Sequence, residues 1–194
     1  LPDAIRTDNG SPFATTTVCG LSRLSISWIR LGVIPERITA GKPQQNGRHE
    51  RMHRTLKDEA ISPPKATWRC QQAAFDAFRQ EFNHERPHEA LNQRFPDELY
   101  VPSSRPYPPR LPEMTYPDTM QVRWVKSQGD ISWKGHHVYL TSTLAGELVG
   151  LQQITDQLWD IYFGPIRLAQ IDTARKRLIH LSRTTRRGYL NRKK

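Results

Sequence analysis

The sequence has 194 residues, enough for one ordinary domain or two small ones, with 36% hydrophobic residues and a mean hydropathy of -0.71. No run of about 18 apolar residues occurs, which excludes a transmembrane helix, and Leu1-Pro2-Asp3-Ala4 has neither the basic start nor the apolar stretch of a signal peptide. Lys and Arg number 29 against 19 acids, a net charge of +10, and a field of that sign favours phosphates, because neutralising each one releases condensed counterions.

Asp3 to Thr7 reads as a short strand, ended by the turn signal Asp8-Asn9-Gly10. From Ser11 to Leu31, Val18, Leu21, Leu24, Trp28 and Leu31 recur at spacings of three and four, which predicts an amphipathic helix closed by Gly32. Val33 to Ile38 is a second short strand, interrupted by Pro35, and Thr39 to Gly47 is a polar loop. A helix is expected from Asn46, its N-cap, to Ala60, stopped by Pro63-Pro64. Thr67 caps the next, whose Trp68, Phe75, Phe78 and Phe82 form an aromatic stripe expected to pack into a core.

Six prolines between Tyr100 and Pro117 exclude helix and central strand and predict a semi-rigid extended linker. Beyond it the period changes to two. Gln121–Lys126, Asp130–Trp133, His136–Leu140, Leu148–Gln153, Leu158–Phe163 and Ile166–Ile171 are strand-like runs separated by glycine turns, the spacing of a small antiparallel barrel. Residues 99–194 carry 15 basic and 7 acidic groups, and after Asp172 nine basic residues follow with no acid. Such a stretch is expected to be a nucleic-acid arm.

Asp8 and Glu50 stand out among the carboxylates. Asp8 ends a strand, where an α/β sheet places its ligands, and Glu50 opens a helix after a polar loop. Hard cations need such oxygen donors, although each residue alone also reads as an ordinary turn former or solvated helix residue. His49-Glu50-Arg51-Met52-His53 also fits the His-Glu-x-x-His pattern of zinc metallopeptidases, with Asp76 or Glu81 as distant third ligands. Pro43 and Gly47 stand where that motif needs preceding helix, so this zinc reading ranks last. Cys19 and Cys70 make no disulfide framework, which points to a reducing, intracellular protein, and the missing initiating Met to a chain cut from something longer.

Four motifs occur in order: Arg6-Thr7-Asp8-Asn9-Gly10-Ser11, then Gly41-Lys42-Pro43-Gln44-Gln45-Asn46-Gly47-Arg48-His49-Glu50-Arg51, then Arg54-Thr55-Leu56-Lys57, then Asn83-His84-Glu85-Arg86-Pro87-His88-Glu89-Ala90-Leu91. The series resembles the integrase core of bacterial insertion-sequence transposases, relatives of retroviral integrases. The resemblance implies a ribonuclease H-like fold and an Asp-Asp-Glu triad that binds Mg²⁺ or Mn²⁺, nicks donor DNA and joins its 3′ end to target DNA. Asp8 then corresponds to the second acid and Glu50 to the third. The family's first Asp lies on an earlier strand. Asp3 shares the short strand of Asp8 and cannot replace it, so this chain alone is expected to be inactive.

The resemblance also implies that Arg54 and Lys57, on the helix face of Glu50, contact the transposon end; an intrahelical Glu50–Arg54 ion pair is the plainer alternative. Lys42, Gln44 and Gln45 are placed to touch strand ends, whereas Arg86-Pro87-His88 is expected to orient a helix end. Lys126 and Lys134, with Arg123, Trp124 and Trp133, combine charge and aromatics as nucleic-acid platforms do, unless the tryptophans fill the barrel. Arg175, Lys176, Arg177, Arg186 and Arg187 are further DNA-binding candidates.

The expected organisation is α/β then all-β. A partial ribonuclease H-like integrase core spans 1–99, a Pro-rich linker 100–119, a small antiparallel β-barrel for DNA binding or assembly 120–172, and a basic tail 173–194. The expected partners are transposon and target DNA and further copies of the chain, with no membrane, in the bacterial cytoplasm on the nucleoid. A catalytically inactive DNA-binding or oligomerising fragment is the second reading.

Overall fold

Residues 1–15, 20–39, 41–175 and 177–180 are described by a computed structural model. The chain divides into two units, one made of Leu1–Arg37 and the chain from Arg105 onward, the other of Ile38–Ser104.

In the first unit, β1 (Ala4–Thr7) and β2 (Ile34–Arg37) pair in parallel, Ala4 opposite Ile34 and Thr7 opposite Arg37. Parallel strands need a crossover, and α1 (Arg23–Arg30) supplies it. Its start is set by Ser22, whose Oγ accepts from the Ser25 amide at 3.1 Å while Ser25 Oγ accepts from the Ser22 amide at 2.7 Å. The helix is therefore shorter than the apolar spacing predicts. Ser11–Phe13 form a turn, Ala14 bridges Leu21, and residues 16–19, with Val18 and Cys19, lie outside the described residues.

Seven strands follow: β3 (Gln121–Trp124), β4 (Asp130–Trp133), β5 (His136–Tyr139), β6 (Leu148–Gln153), β7 (Leu158–Phe163), β8 (Ile166–Asp172) and β9 (Arg177–His180). All their pairings are antiparallel, as expected. Closure into a barrel is not found among the described residues. β3, β6, β7, β8 and β9 form an open sheet in that order, and β4–β5 is a separate hairpin. The reason is the pairing of β3, which takes β6 as neighbour and leaves the intervening hairpin outside the ladder. Arg177–His180, read as basic tail, add the strand β9.

Val149, Leu151, Ile161 and Phe163 of the sheet and Ile131 of the hairpin are fully buried, and Ile26 and Ile29 of α1 join the same cluster. Each such side chain contributes about 1.5–3 kcal/mol through burial. The Pro-rich chain is tied to this core by side chains. Arg105 donates to the carbonyls of Pro2 (3.0 Å) and Leu31 (2.7 Å). The Tyr116 hydroxyl donates to the Leu148 carbonyl at 2.8 Å and accepts from the Gly164 amide at 3.2 Å. Its ring lies so close to Gly150 that a Cβ there would stand 2.4 Å away, which requires glycine. Burial pushes the phenol up to about 12.

The second unit is helical. α2 (Gly47–Leu56) runs into a π turn at Lys57–Ile61, α3 (Trp68–Gln80) into another at Glu81–Glu85, and the short α4 (Pro96–Leu99) follows. Thr67 caps α3 as expected, accepting from the Cys70 amide at 3.2 Å. Asn46 precedes α2 without a side-chain cap bond. The aromatic stripe does not form the expected closed core. Phe75, Phe78 and Phe82 are half-buried, and Trp68, the first residue of α3, is 76% exposed with Arg69 over its ring. Charge, more than apolar burial, fastens the two π turns. Arg86 donates to both Glu59 oxygens at 3.0 and 2.8 Å and to Glu81 at 2.5 Å. Arg86 thus takes the structural role expected of it.

Candidate functional site

Asp8 follows the last residue of β1, at the carboxyl end of a parallel pair, and is exposed. Its Oδ1 accepts from the Gly10 amide at 3.0 Å, an Asx turn that fixes the carboxylate and leaves Oδ2 outside the turn. Glu50 is the fourth residue of α2, exposed, in the first turn, where the helix dipole favours an anion. Among the described residues it forms no ion pair, so the alternative pairing with Arg54 is not made. Asp8 belongs to the first unit and Glu50 to the second. Among the described residues no group of three or more His, Cys, Asp or Glu side chains is placed to hold a metal ion.

The other candidates of the second unit surround Glu50 in sequence. Lys42 and Gln44 are exposed on the 3₁₀ approach to α2, with the Lys42 amide donating to the Thr39 carbonyl at 3.0 Å. Gln45 is committed to the loop, since its Oε1 accepts from the Thr39 amide at 2.7 Å. Arg54 is exposed in the last turn of α2, and Lys57 is exposed where α2 passes into the π turn. The rings of His49 and His53 lie 4.1 Å apart between centroids on the same helix.

In the first unit the basic candidates differ in how far they are already neutralised. Lys126 Nζ lies 3.8 Å from Asp130, whose carboxylate accepts from His137 at 2.7 Å; that hydrogen bond holds Asp130 below the usual carboxylate range. Arg175 faces Asp172 at 3.8 Å. Lys134 and Arg177 have no acidic partner among the described residues, and the fold brings them to one cleft. Lys176, Arg186 and Arg187 lie outside the described residues. Tyr139 and His136 also line this cleft. Neither is flagged by sequence reasoning, because only the pairing of β5 with β4 and the arrival of β9 give them shared surroundings.

Trp133 and Trp159 are core residues, 3% and 5% exposed, packed edge to face at 4.7 Å; Trp124 is 58% exposed on the edge strand β3. No helix among the described residues is long and apolar enough to cross a membrane.

Residues 31–96 match the family model of the integrase core domain, and residues 120–178 match that of the C-terminal domain of IS481 family transposases. Glu50 and its neighbours fall inside the first match, Lys126, Lys134, Arg175 and Arg177 inside the second; Asp8 precedes both. An uncharacterized 31.7 kDa protein of insertion element IS407 from Burkholderia multivorans is 36% identical over 100 residues, covering 50% of this chain and 34% of the relative. The Pol polyprotein of feline endogenous virus ECE1 is 26% identical over 185 residues, covering 74% of this chain and 17% of that protein. The chain thus spans at most about a third of the length of these curated relatives. An integrase core segment followed by a transposase C-terminal segment is the arrangement that a fragment of an insertion-sequence transposase would carry.

Proposed function

We propose that the chain serves DNA transposition, in a reaction that nicks transposon ends and joins them to target DNA, with Asp8 and Glu50 as two of its acids. The observation that carries this reading is the order of the two family segments, with Glu50 inside the integrase core match. Asp8, fixed by its turn at a strand end, and the unpaired Glu50 are oxygen donors of the kind Mg²⁺ or Mn²⁺ selects. Such ions, when bound, activate the attacking oxygen and stabilise charge at the phosphate. Arg54, Lys57, Lys42 and Gln44 flank Glu50 in sequence and are exposed to take phosphates of the transposon end. Lys134, Arg177 and, more weakly, Lys126 and Arg175 hold duplex backbone.

In this reading the integrase core segment belongs to a ribonuclease H-like domain, and the sheet and hairpin of the first unit are a small barrel-like module. The chain assembles with further copies on DNA in the bacterial cytoplasm. A second reading, an inactive DNA-binding or oligomerising module, is favoured by the described residues, among which no group of three or more His, Cys, Asp or Glu side chains is placed to hold a metal ion.

A mobility assay of the insertion element in cells separates the two. Asp8→Asn and Glu50→Gln are each expected to abolish transposition while leaving DNA binding intact. Wild-type mobility in both variants removes the catalytic assignment and leaves the second reading. A purified polypeptide of these 194 residues is expected to bind Mg²⁺ weakly and to join no DNA, since two carboxylates leave most coordination positions to water.

A further inference from the structure

The hairpin β4–β5 and the edge strand β9 enclose a cleft of about 530 Å³, within the roughly 300–1,000 Å³ of small-molecule sites. Lys134, Arg177, His136, Trp133, Tyr139 and Thr173 line it, and no carboxylate among the described residues does. The two nearby acids are occupied elsewhere: Asp130 by His137 and Lys126, Asp172 by Arg175. Two cations therefore face the cleft without acidic partners among the described residues, the electrostatics of an anion site.

Lys134 is held in place by core rings behind the cleft wall. Lys134 holds its ammonium 5.6 Å from the Trp133 ring centroid and 5.0 Å from that of Trp159, and the Arg123 guanidinium stands 5.2 Å from Trp133. To reach there, Lys134 adopts φ +44° in the two-residue turn Lys134-Gly135, a left-handed position usually given to Asn or Gly. The buried indole N–H of Trp133 has no acceptor among the described residues. Tyr139 presents a ring that is 59% exposed. A phosphate alone would need no exposed ring such as that of Tyr139, and a duplex would hide its base faces from it.

We propose that this cleft takes an unpaired nucleotide of a DNA strand, its phosphate on Lys134 and Arg177 and its base against Tyr139. The proposal rests on the DNA-binding reading above and narrows it to single-stranded substrate at this place.

The test compares the full 194-residue chain with Lys134→Asn, which keeps a residue tolerant of the left-handed turn, and Tyr139→Val, which keeps a strand former at an exposed position. Fluorescence anisotropy is read with labelled oligo(dT) and with a duplex of equal length at one ionic strength. Tyr139→Val is expected to weaken oligo(dT) binding about tenfold and to leave duplex binding nearly unchanged, and Lys134→Asn, which also removes a backbone contact on duplex, to weaken oligo(dT) binding about tenfold and duplex binding much less. Equal losses on both probes, or none on either, overturn the cleft assignment. Wild-type binding to duplex but not to oligo(dT) overturns it while sparing the DNA reading. Wild-type binding to neither overturns the DNA reading and the cleft with it.

Discussion

Arg30 of α1 and Glu147, 117 residues further along the chain, form an ion pair at 3.2 Å. The same guanidinium donates to the carbonyls of Pro112 (2.8 Å) and Leu111 (3.1 Å). One side chain thus joins the crossover helix, the Pro-rich segment and the turn before β6. Removing it leaves a carboxylate and two carbonyls short of a donor, so Arg30→Met is expected to cost about 1–3 kcal/mol. Glu147→Gln, which touches one of the three interactions, is expected to cost less. Urea unfolding followed by tryptophan fluorescence gives both values, and equal or negligible losses would remove Arg30 as the fastener of these segments.

The basic residues should show themselves in salt dependence. A deletion of residues 181–194, with six Lys and Arg, leaves all the described strands up to β9 (Arg177–His180) in the chain. Affinity for any duplex is expected to fall, and the slope of log K against log salt to flatten by roughly 0.9 for each phosphate that is no longer neutralised. Arg54→Ala and Lys57→Ala are expected instead to weaken mainly the cognate transposon end. An unchanged slope after the deletion would assign the charge of that stretch to solubility.

His49 and His53 give the zinc reading a direct check. Elemental analysis of the purified chain is expected to find no stoichiometric zinc, because two histidines four residues apart make only a bidentate chelate where zinc sites use three or four protein ligands. One equivalent of zinc, lost in His49→Ala, would restore the metallopeptidase alternative.

Tyr116 links the fold to alkaline pH. Its phenol ionises near 12 in the folded state, chiefly through burial, against about 10 in an unfolded chain. The folded state therefore holds a proton that the unfolded state gives up, and the stability this contributes is complete below pH 10 and lost as pH rises to 12. Tyr116→Phe is expected to flatten the decline of melting temperature across that window. An identical decline in the variant would mean that other groups set it, Tyr162 among them, whose phenol burial also raises.

The sequence was most legible where side-chain period and turn residues agree. Leu148–Gln153 and Leu158–Phe163 are strands at the expected bounds because Gly146 marks the start of the first and Gly164 the end of the second. Legibility failed where an interaction distant in sequence decides. The start of α1 is set by the Ser22–Ser25 cap against an apolar spacing that reaches back to Ser11. Barrel closure depends on which strand β3 chooses as neighbour, which no local pattern encodes. The Phe75, Phe78 and Phe82 stripe is readable as one helix face, whereas its depth of burial is not. For the proposed site, Asp8 and Glu50 are read from their motifs alone, while Tyr139 and His136 lie on an ordinary strand until β9 makes them walls of a cleft.

The first unit is built from two stretches of chain with Ile38–Ser104 between them. During synthesis Leu21, Ile26 and Ile29 leave the ribosome well before Val149, Ile161 and Phe163, the residues against which they become dry. The helical second unit, whose contacts are local, has emerged in full while those three apolar side chains still wait in water. Translation stopped in the Pro-rich segment would release a chain whose first unit lacks most of its core, which is a substrate for chaperones and proteases. The order of emergence thus ties the fate of α1 to whether the ribosome reaches β8.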